Sequence, residues 1–283
     1  MASGLKILKN KVRTLKSTMK ATKAMQLVSS AKFKHLRKDV NSSEEYYQNI
    51  LNLMNIIYKN IEKSTINNTF EKNVLYGHQN NKILLIAISP NKGLCGSINA
   101  NVYKIFNKFI LSKKNDNKDV FVYSIGSKIK HFAEKRYPEI CLNSASKDDL
   151  KNLHDILNKN EFSEIHIAYT YFAKLMQYNP IVEKIFPFNF SSTNDKQNEI
   201  IIEPDMENAT SAILKLLFKS ITRKAIIHST TSENASRMIA MDNSTKSASK
   251  MIELLTKNIN KIRQSNITRE LIDIISGSQN LKN

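Results

Sequence analysis

The sequence predicts an α/β chain. A long antiparallel coiled coil of the N- and C-terminal helices flanks a central doubly wound, Rossmann-like α/β domain. Three observations carry this. Only 6 Gly and 5 Pro occur in 283 residues, against average usage of roughly 7% and 5%, so helices run long. A heptad stripe of apolar residues lies at each end of the chain. Between them, short apolar runs alternate with helically spaced ones. The expected division is 1–76, an N-terminal coiled-coil helix; 77–200, the α/β domain; and 201–283, a C-terminal helix that packs with 1–60.

The first stripe occupies positions 5, 8, 12, 15, 19, 22, 26, 29, 33, 36 and 40. They read Leu, Leu, Val, Leu, Met, Thr, Gln, Ser, Phe, Leu, Val, so eight of eleven are apolar. Spacings of three and four sustained this long argue for a coiled-coil strand. Thr22, Gln26 and Ser29 form a polar patch that can fix register or face a partner. Tyr47, Ile50, Met54 and Ile57 keep the spacing further on, and no Gly or Pro interrupts residues 5–76.

Residues 82–200 have another texture. Lys82–Ser89 is a short, nearly continuous apolar run, as expected for a buried strand. Ile98–Ile110 has helical spacing. Asp119–Ile125 is a second strand ended by Gly126, and a helix follows to about Tyr137. A further helix is expected near Asp148–Lys159. Glu164–Tyr169 is a third strand and Ile181–Phe188 a fourth, at an edge because Pro187 cannot donate. The alternation implies a mostly parallel sheet. Ser191–Gln197 reads as a polar linker.

The C-terminal stripe is Met238, Met241, Thr245, Ala248, Ile252, Leu255, Ile259 and Ile262. The seam is expected to slip at Asn266 and resume as Ile267, Leu271 and Ile274/Ile275. Ala212, Leu216, Lys219 and Ile226–Ile227 sit on the same helix upstream, with Pro204 near its start. About 70 residues of helix would be roughly 105 Å long, too long to be buried within this chain. Ala248 and Thr245 would permit close approach of the two helices.

Charge and chemistry narrow the function. Residues 1–40 hold eleven Lys or Arg and one acid, Asp39, of a net charge of +18 for the whole chain. Such a cluster suits an acidic partner. The longest wholly apolar run, Ile83–Ile88, is far too short to span a membrane. Cys95 and Cys141 build no disulfide framework, which suits a reducing compartment. The basic, amphipathic N-terminus runs unbroken to residue 40, so it is expected to belong to the folded protein and not to a cleaved leader. Gly93-Leu-Cys-Gly-Ser97 follows a strand and precedes a helix, where phosphates bind in such folds. It lacks the spacing of either phosphate fingerprint, so a tight turn with a packed Cys95 is expected. The six His show no metal spacing, and no catalytic constellation stands out. No cofactor or metal is expected. A nucleic-acid-binding coiled coil would use the basic helix on phosphates, but the middle has no aromatic stacking platform.

Four segments resemble one family, the gamma subunit of F-type ATP synthases, over nearly the whole chain. They are Thr18–Lys32, with Thr-Lys-Ala-Met at its centre; Gly93–Asn99, with its Gly-Leu-Cys-Gly turn; Ser236–Thr245; and Arg263–Gly277. Ala21, Ile259, Ser278 and Asn280 depart from the usual family residues. The resemblance implies a rotor shaft without a catalytic site of its own. Its coiled coil would insert into three alpha and three beta subunits, and its α/β domain would meet an epsilon-type subunit and the membrane ring of c subunits. It implies a peripheral place on the cytoplasmic side of a bacterial inner membrane, or the matrix side of the mitochondrial one. It implies contact with acidic beta-subunit loops through Lys23 and Met25, opposite Arg237, and a second beta contact through Arg263, Gln264, Thr268 and Glu270.

Overall fold

The computed structural model describes residues 2–60, 80–142, 162–188 and 206–280. The expected boundaries at 76/77 and 200/201, the helix near Asp148–Lys159, the linker Ser191–Gln197 and Pro204 all lie outside the described residues. The elements are α1 (Ala2–Asn60), β1 (Lys82–Ile88), α2 (Ile98–Asn115), β2 (Asp119–Ile125), α3 (Ser127–Arg136), β3 (Glu164–Lys174), β4 (Gln177–Phe186) and α4 (Met206–Asn280). The chain forms two compact units. One is residues 31–236; the other joins 1–30 with 237–283.

The larger unit is built on a four-stranded sheet of order β2-β1-β3-β4. β1 pairs in parallel with β2 and with β3, and β4 runs antiparallel to β3. Parallel strands are buried on both faces, which is why Ile83–Ile88 is apolar at every position and fully buried. β3 runs five residues past Tyr169, because its hairpin partner β4 begins early, at Gln177. Pro180 stands inside β4, opposite Thr170, and an edge strand tolerates it. Pro187, the expected reason for the edge position, lies beyond the strand.

Each sheet face has its own cover. Leu85, Ala87, Val120 and Val122 pack against α2, through Ile98, Val102, Phe106 and Ile110, and against α3, through Ile129 and Ala133. Leu84, Ile86, Ile88, Tyr123, Ile165 and Ile167 pack instead against Ile50 and Met54 of α1 and Leu214, Leu217, Phe218, Ile221 and Ala225 of α4. The second winding is thus supplied by the chain's two ends. Ala212, Leu216 and Lys219 lie on the exposed side of α4, with Leu216 43% exposed. A helix on a sheet buries a wide stripe, and its phase here differs from the seam downstream.

The smaller unit is an antiparallel helix pair. From Gly4 to Ser29, positions 5, 8, 12, 15, 19, 22, 26 and 29 alone are withdrawn from solvent. On α4 the matching set is Met241, Thr245, Ala248, Ile252, Leu255, Ile259 and Ile262. Two residues of the polar seam patch are paired across the helices. The Thr22 and Thr245 hydroxyls meet at 2.8 Å, and the Gln26 amide donates to Asp242 Oδ1 at 3.0 Å. The expected resumption of the seam after Asn266 is not realised. Ile267, Leu271, Ile274 and Ile275 are 46%, 54%, 68% and 57% exposed. With Thr22 opposite Thr245, the start of α1 falls opposite about residue 265, so α4 continues past its partner.

Candidate partner-contact surface

All seven residues expected to meet a partner fall in the smaller unit, in two places. Lys23 is exposed, and its ammonium donates to Gln26 Oε1 at 2.9 Å. Gln26 in turn donates to Asp242, which also pairs with Lys246 Nζ at 2.6 Å. One carboxylate thus pairs with Lys246 directly and is linked to Lys23 only through the Gln26 amide, and this line of side chains presents positive charge to solvent. Met25 is 45% exposed beside Leu27 at 60% and Val28 at 57%. Ala21, Met25 and Val28 share one helix face by their spacing, and the seam buries none of them. Arg237 is half-buried. The register places about residue 30 opposite it, so Lys23 sits roughly 10 Å further along the helices.

The second group lies roughly 30 Å along α4. Arg263, Gln264, Thr268 and Glu270 are all exposed, and the Thr268 hydroxyl donates back to the Gln264 carbonyl at 3.0 Å. Around them stand the uncovered Ile267, Leu271, Ile272, Ile274 and Ile275. These aliphatics are at least as prominent a feature as the four polar residues. Their chemistry was visible in the sequence as a seam, and their role as an open surface was not.

The glycine turn is a structural joint. Cys95 is buried, and its carbonyl accepts the Ser236 hydroxyl of α4 at 2.7 Å, while the Tyr178 hydroxyl donates to Ser236 at 3.1 Å. Gly96 has φ +61°, and a Cβ there would stand 2.9 Å from Ser236 Oγ. The start of α3 is likewise occupied from within. Asn91 Oδ1 accepts the Ser127 N–H at 2.9 Å and Ser89 Oγ accepts the Ile129 N–H at 2.8 Å. Donors that serve a phosphate in other doubly wound folds are spent on side chains here. Among the described residues no helix is long and apolar enough to cross a membrane.

The family model described as ATP synthase matches residues 4–281. The chain belongs to the gamma-chain family of ATP synthases. A curated ATP synthase gamma chain from Mycoplasma capricolum is 32% identical over 284 residues, covering 96% of this chain and 97% of that one. The gamma chain of Clostridium kluyveri is 29% identical over 290 residues, with 99% of each covered. Among solved structures, a chain of the Euglena gracilis mitochondrial ATP synthase (OSCP/F1/c-ring) superposes with a TM-score of 0.66 at 17% identity, covering 99% of this chain and 95% of that one. A chain of the Tetrahymena thermophila mitochondrial ATP synthase central stalk and c-ring gives 0.59 at 19% identity over 79% of this chain and 98% of its own. The gamma-chain fold, helix pair and sheet domain together, is therefore shared end to end.

Proposed function

We propose that this gamma-family chain is the central-stalk rotor of an F-type, proton-translocating ATP synthase, coupling ion-driven rotation to conformational change at catalytic sites on the beta subunits. Family membership over nearly the whole length supports this, as does likeness to chains of solved ATP synthase central-stalk, rotor and F1/c-ring structures. The single observation that carries it is the helix pair. A two-helix rod with a satisfied seam has no further core to protect, yet α4 leaves a run of aliphatics uncovered beyond its partner. An apolar surface of this kind marks an interaction site. Three alpha and three beta subunits are the proposed sleeve around it, and an epsilon-type subunit and the c ring are the proposed partners of the sheet domain.

The mechanism follows from asymmetry. A rod carrying Lys23 and Met25 on one helix, and Arg237, Arg263, Gln264, Thr268 and Glu270 on the other, presents different chemistry in different directions. Three identical beta subunits around it then meet three different faces. Each is biased toward open or closed by its differential contact with the rod. Acidic loops on the beta subunits would be drawn to the Lys23–Lys246 side by complementary charge. The chain itself supplies no catalytic group in this reading, and its place is peripheral, at the inner face of an energy-coupling membrane.

Native mass spectrometry of the chain with cognate alpha and beta subunits tests the reading. The expected species has three alpha, three beta and one copy of this chain. Alpha–beta hexamers that never take up the folded chain would sink it.

A further inference from the structure

Within the larger unit, three elements meet at one buried histidine, and a fourth stands one contact away. His228 of α4 is 1% exposed. Its Nδ1 accepts the backbone N–H of Phe172 in β3 at 3.3 Å. A backbone amide can only donate, so the neutral ring carries its proton on Nε2. That nitrogen faces Glu44 Oε2 of α1 at 3.4 Å. Tyr171 stacks on the imidazole at 4.6 Å and 17°, and Tyr169 meets it edge-on at 6.2 Å. One turn before His228, Lys224 Nζ lies 3.8 Å from both Glu44 and Glu183 of β4, and 4.1 Å over the Tyr47 ring. The Tyr169 hydroxyl donates to Glu183 at 3.0 Å.

The charged groups acting on His228 are thus Glu44 and Lys224, one negative and one positive, with Tyr169 and Tyr171 as neutral neighbours and Glu183 one contact further out, on Lys224 and Tyr169. We propose that His228 is a proton-operated lock between the terminal helices and strand β3. Neutral, it bridges the Phe172 amide to Glu44. Protonated at Nδ1, it opposes one donor to another, releases the strand and is held by Glu44 alone. Burial keeps the imidazole below its ordinary value, against the pull of the Glu44 carboxylate. The unfolded chain then takes up the proton more readily than the folded one. The lock is intact above about pH 6.5 and is lost as pH falls below it. As a positioning residue for the rotor, His228 would set how rigidly α1 and α4 are fixed to the sheet. That consequence rests on the rotor reading, and the lock itself does not.

The test uses the full chain, by amide hydrogen exchange. Between about pH 7.5 and pH 5.5 the protection factor of the Phe172 amide should fall about threefold or more. In His228→Asn the side-chain carbonyl still accepts the Phe172 N–H but cannot titrate, so protection should stay level. If that variant does not fold, Glu44→Gln serves. Its amide oxygen still accepts from Nε2, and loss of the carboxylate should move the His228 titration midpoint, read by NMR of the imidazole protons, to lower pH. An unchanged midpoint in Glu44→Gln, or the wild-type pH dependence persisting in His228→Asn, would overturn the lock. In the assembled complex, ions pumped per ATP should fall at acid pH in wild type and hold in His228→Asn. A ratio that ignores a titrating lock overturns the coupling consequence. Failure to assemble with alpha and beta subunits overturns the rotor reading and leaves the lock standing.

Discussion

Glu164 shows how one side chain can organise a strand end. It opens β3, with its side chain 17% exposed, and takes Lys118 at 3.1 Å, Lys113 and Lys184 at 3.4 Å and His166 at 2.9 Å. Burial alone would raise its pKa. The hydrogen bonds from His166 and Lys118 and the charges of Lys113 and Lys184 outweigh that, and hold it well below the usual carboxylate range. A carboxylate depressed in the folded state contributes stability above its unfolded value, about 4.5, and loses it as pH falls further. Glu164→Gln should therefore lower the urea midpoint at neutral pH, and the gap from wild type should close progressively below about pH 4.5. A gap independent of pH would mean that packing and not charge is lost. The Thr22–Thr245 pair makes a different kind of prediction. Each hydroxyl also reaches a carbonyl of its own helix, Met19 for Thr22 at 3.1 Å and Met241 for Thr245 at 2.8 Å, so changing either Thr to Val removes only the shared bond and should cost about 1 kcal/mol, and changing the second should cost little more. Additive losses in thermal unfolding of the double variant would show that the two hydroxyls do not act together.

Among the elements, α1 has two environments along one heptad pattern. Its first part packs on a single helix and buries a narrow seam. Further along, Ile50 and Met54 enter the sheet core, where Met54 is fully buried. Met54→Ala should cost about 2–5 kcal/mol, as large core truncations do, and should lower the thermal midpoint of the sheet domain. A loss below about 0.5 kcal/mol, typical of surface changes, would show that α1 merely rests on the sheet. By the same reasoning, removal of residues 266–283 takes away a stretch of α4 whose described side chains are largely exposed. That truncation should leave the sheet domain's thermal transition in place. Disappearance of the transition would refute the separation.

For the whole molecule, the predictions concern coupling. Lys23→Glu and Met25→Lys change exposed residues that the seam does not bury. Both chains should assemble normally. If the chain is the proposed rotor, ATP hydrolysis in membranes should be retained while ion pumping per ATP falls, because the altered face would meet the beta subunits less discriminatingly. Proportional loss of hydrolysis and pumping would instead point to failed assembly.

The sequence alone determined the periodic parts. Heptad spacing foretold the withdrawn positions of α1 one by one, and apolar runs foretold β1 and β2 to within a residue. Local geometry ties spacing to exposure, so no distant residue is needed to read it. Tertiary structure decided the rest. The segment 228–236 reads His-Ser-Thr-Thr-Ser-Glu-Asn-Ala-Ser, polar almost throughout, yet all of it except the half-buried Thr230 is buried. It can be buried because several of its donors turn to carbonyls of their own helix, as Thr231 does to Ile227 at 2.7 Å and Asn234 to Thr230 at 2.8 Å. Others turn to the glycine turn and β3, as Ser236 and Ser232 do, while His228 accepts from the β3 backbone. No periodicity marks such a stretch as core. Its burial depends on partners up to 184 residues away, as between His228 and Glu44, and only the folded chain brings them together. The exposed aliphatics of α4 are the converse case, since a pattern that reads as a seam becomes a surface wherever the opposite helix has ended.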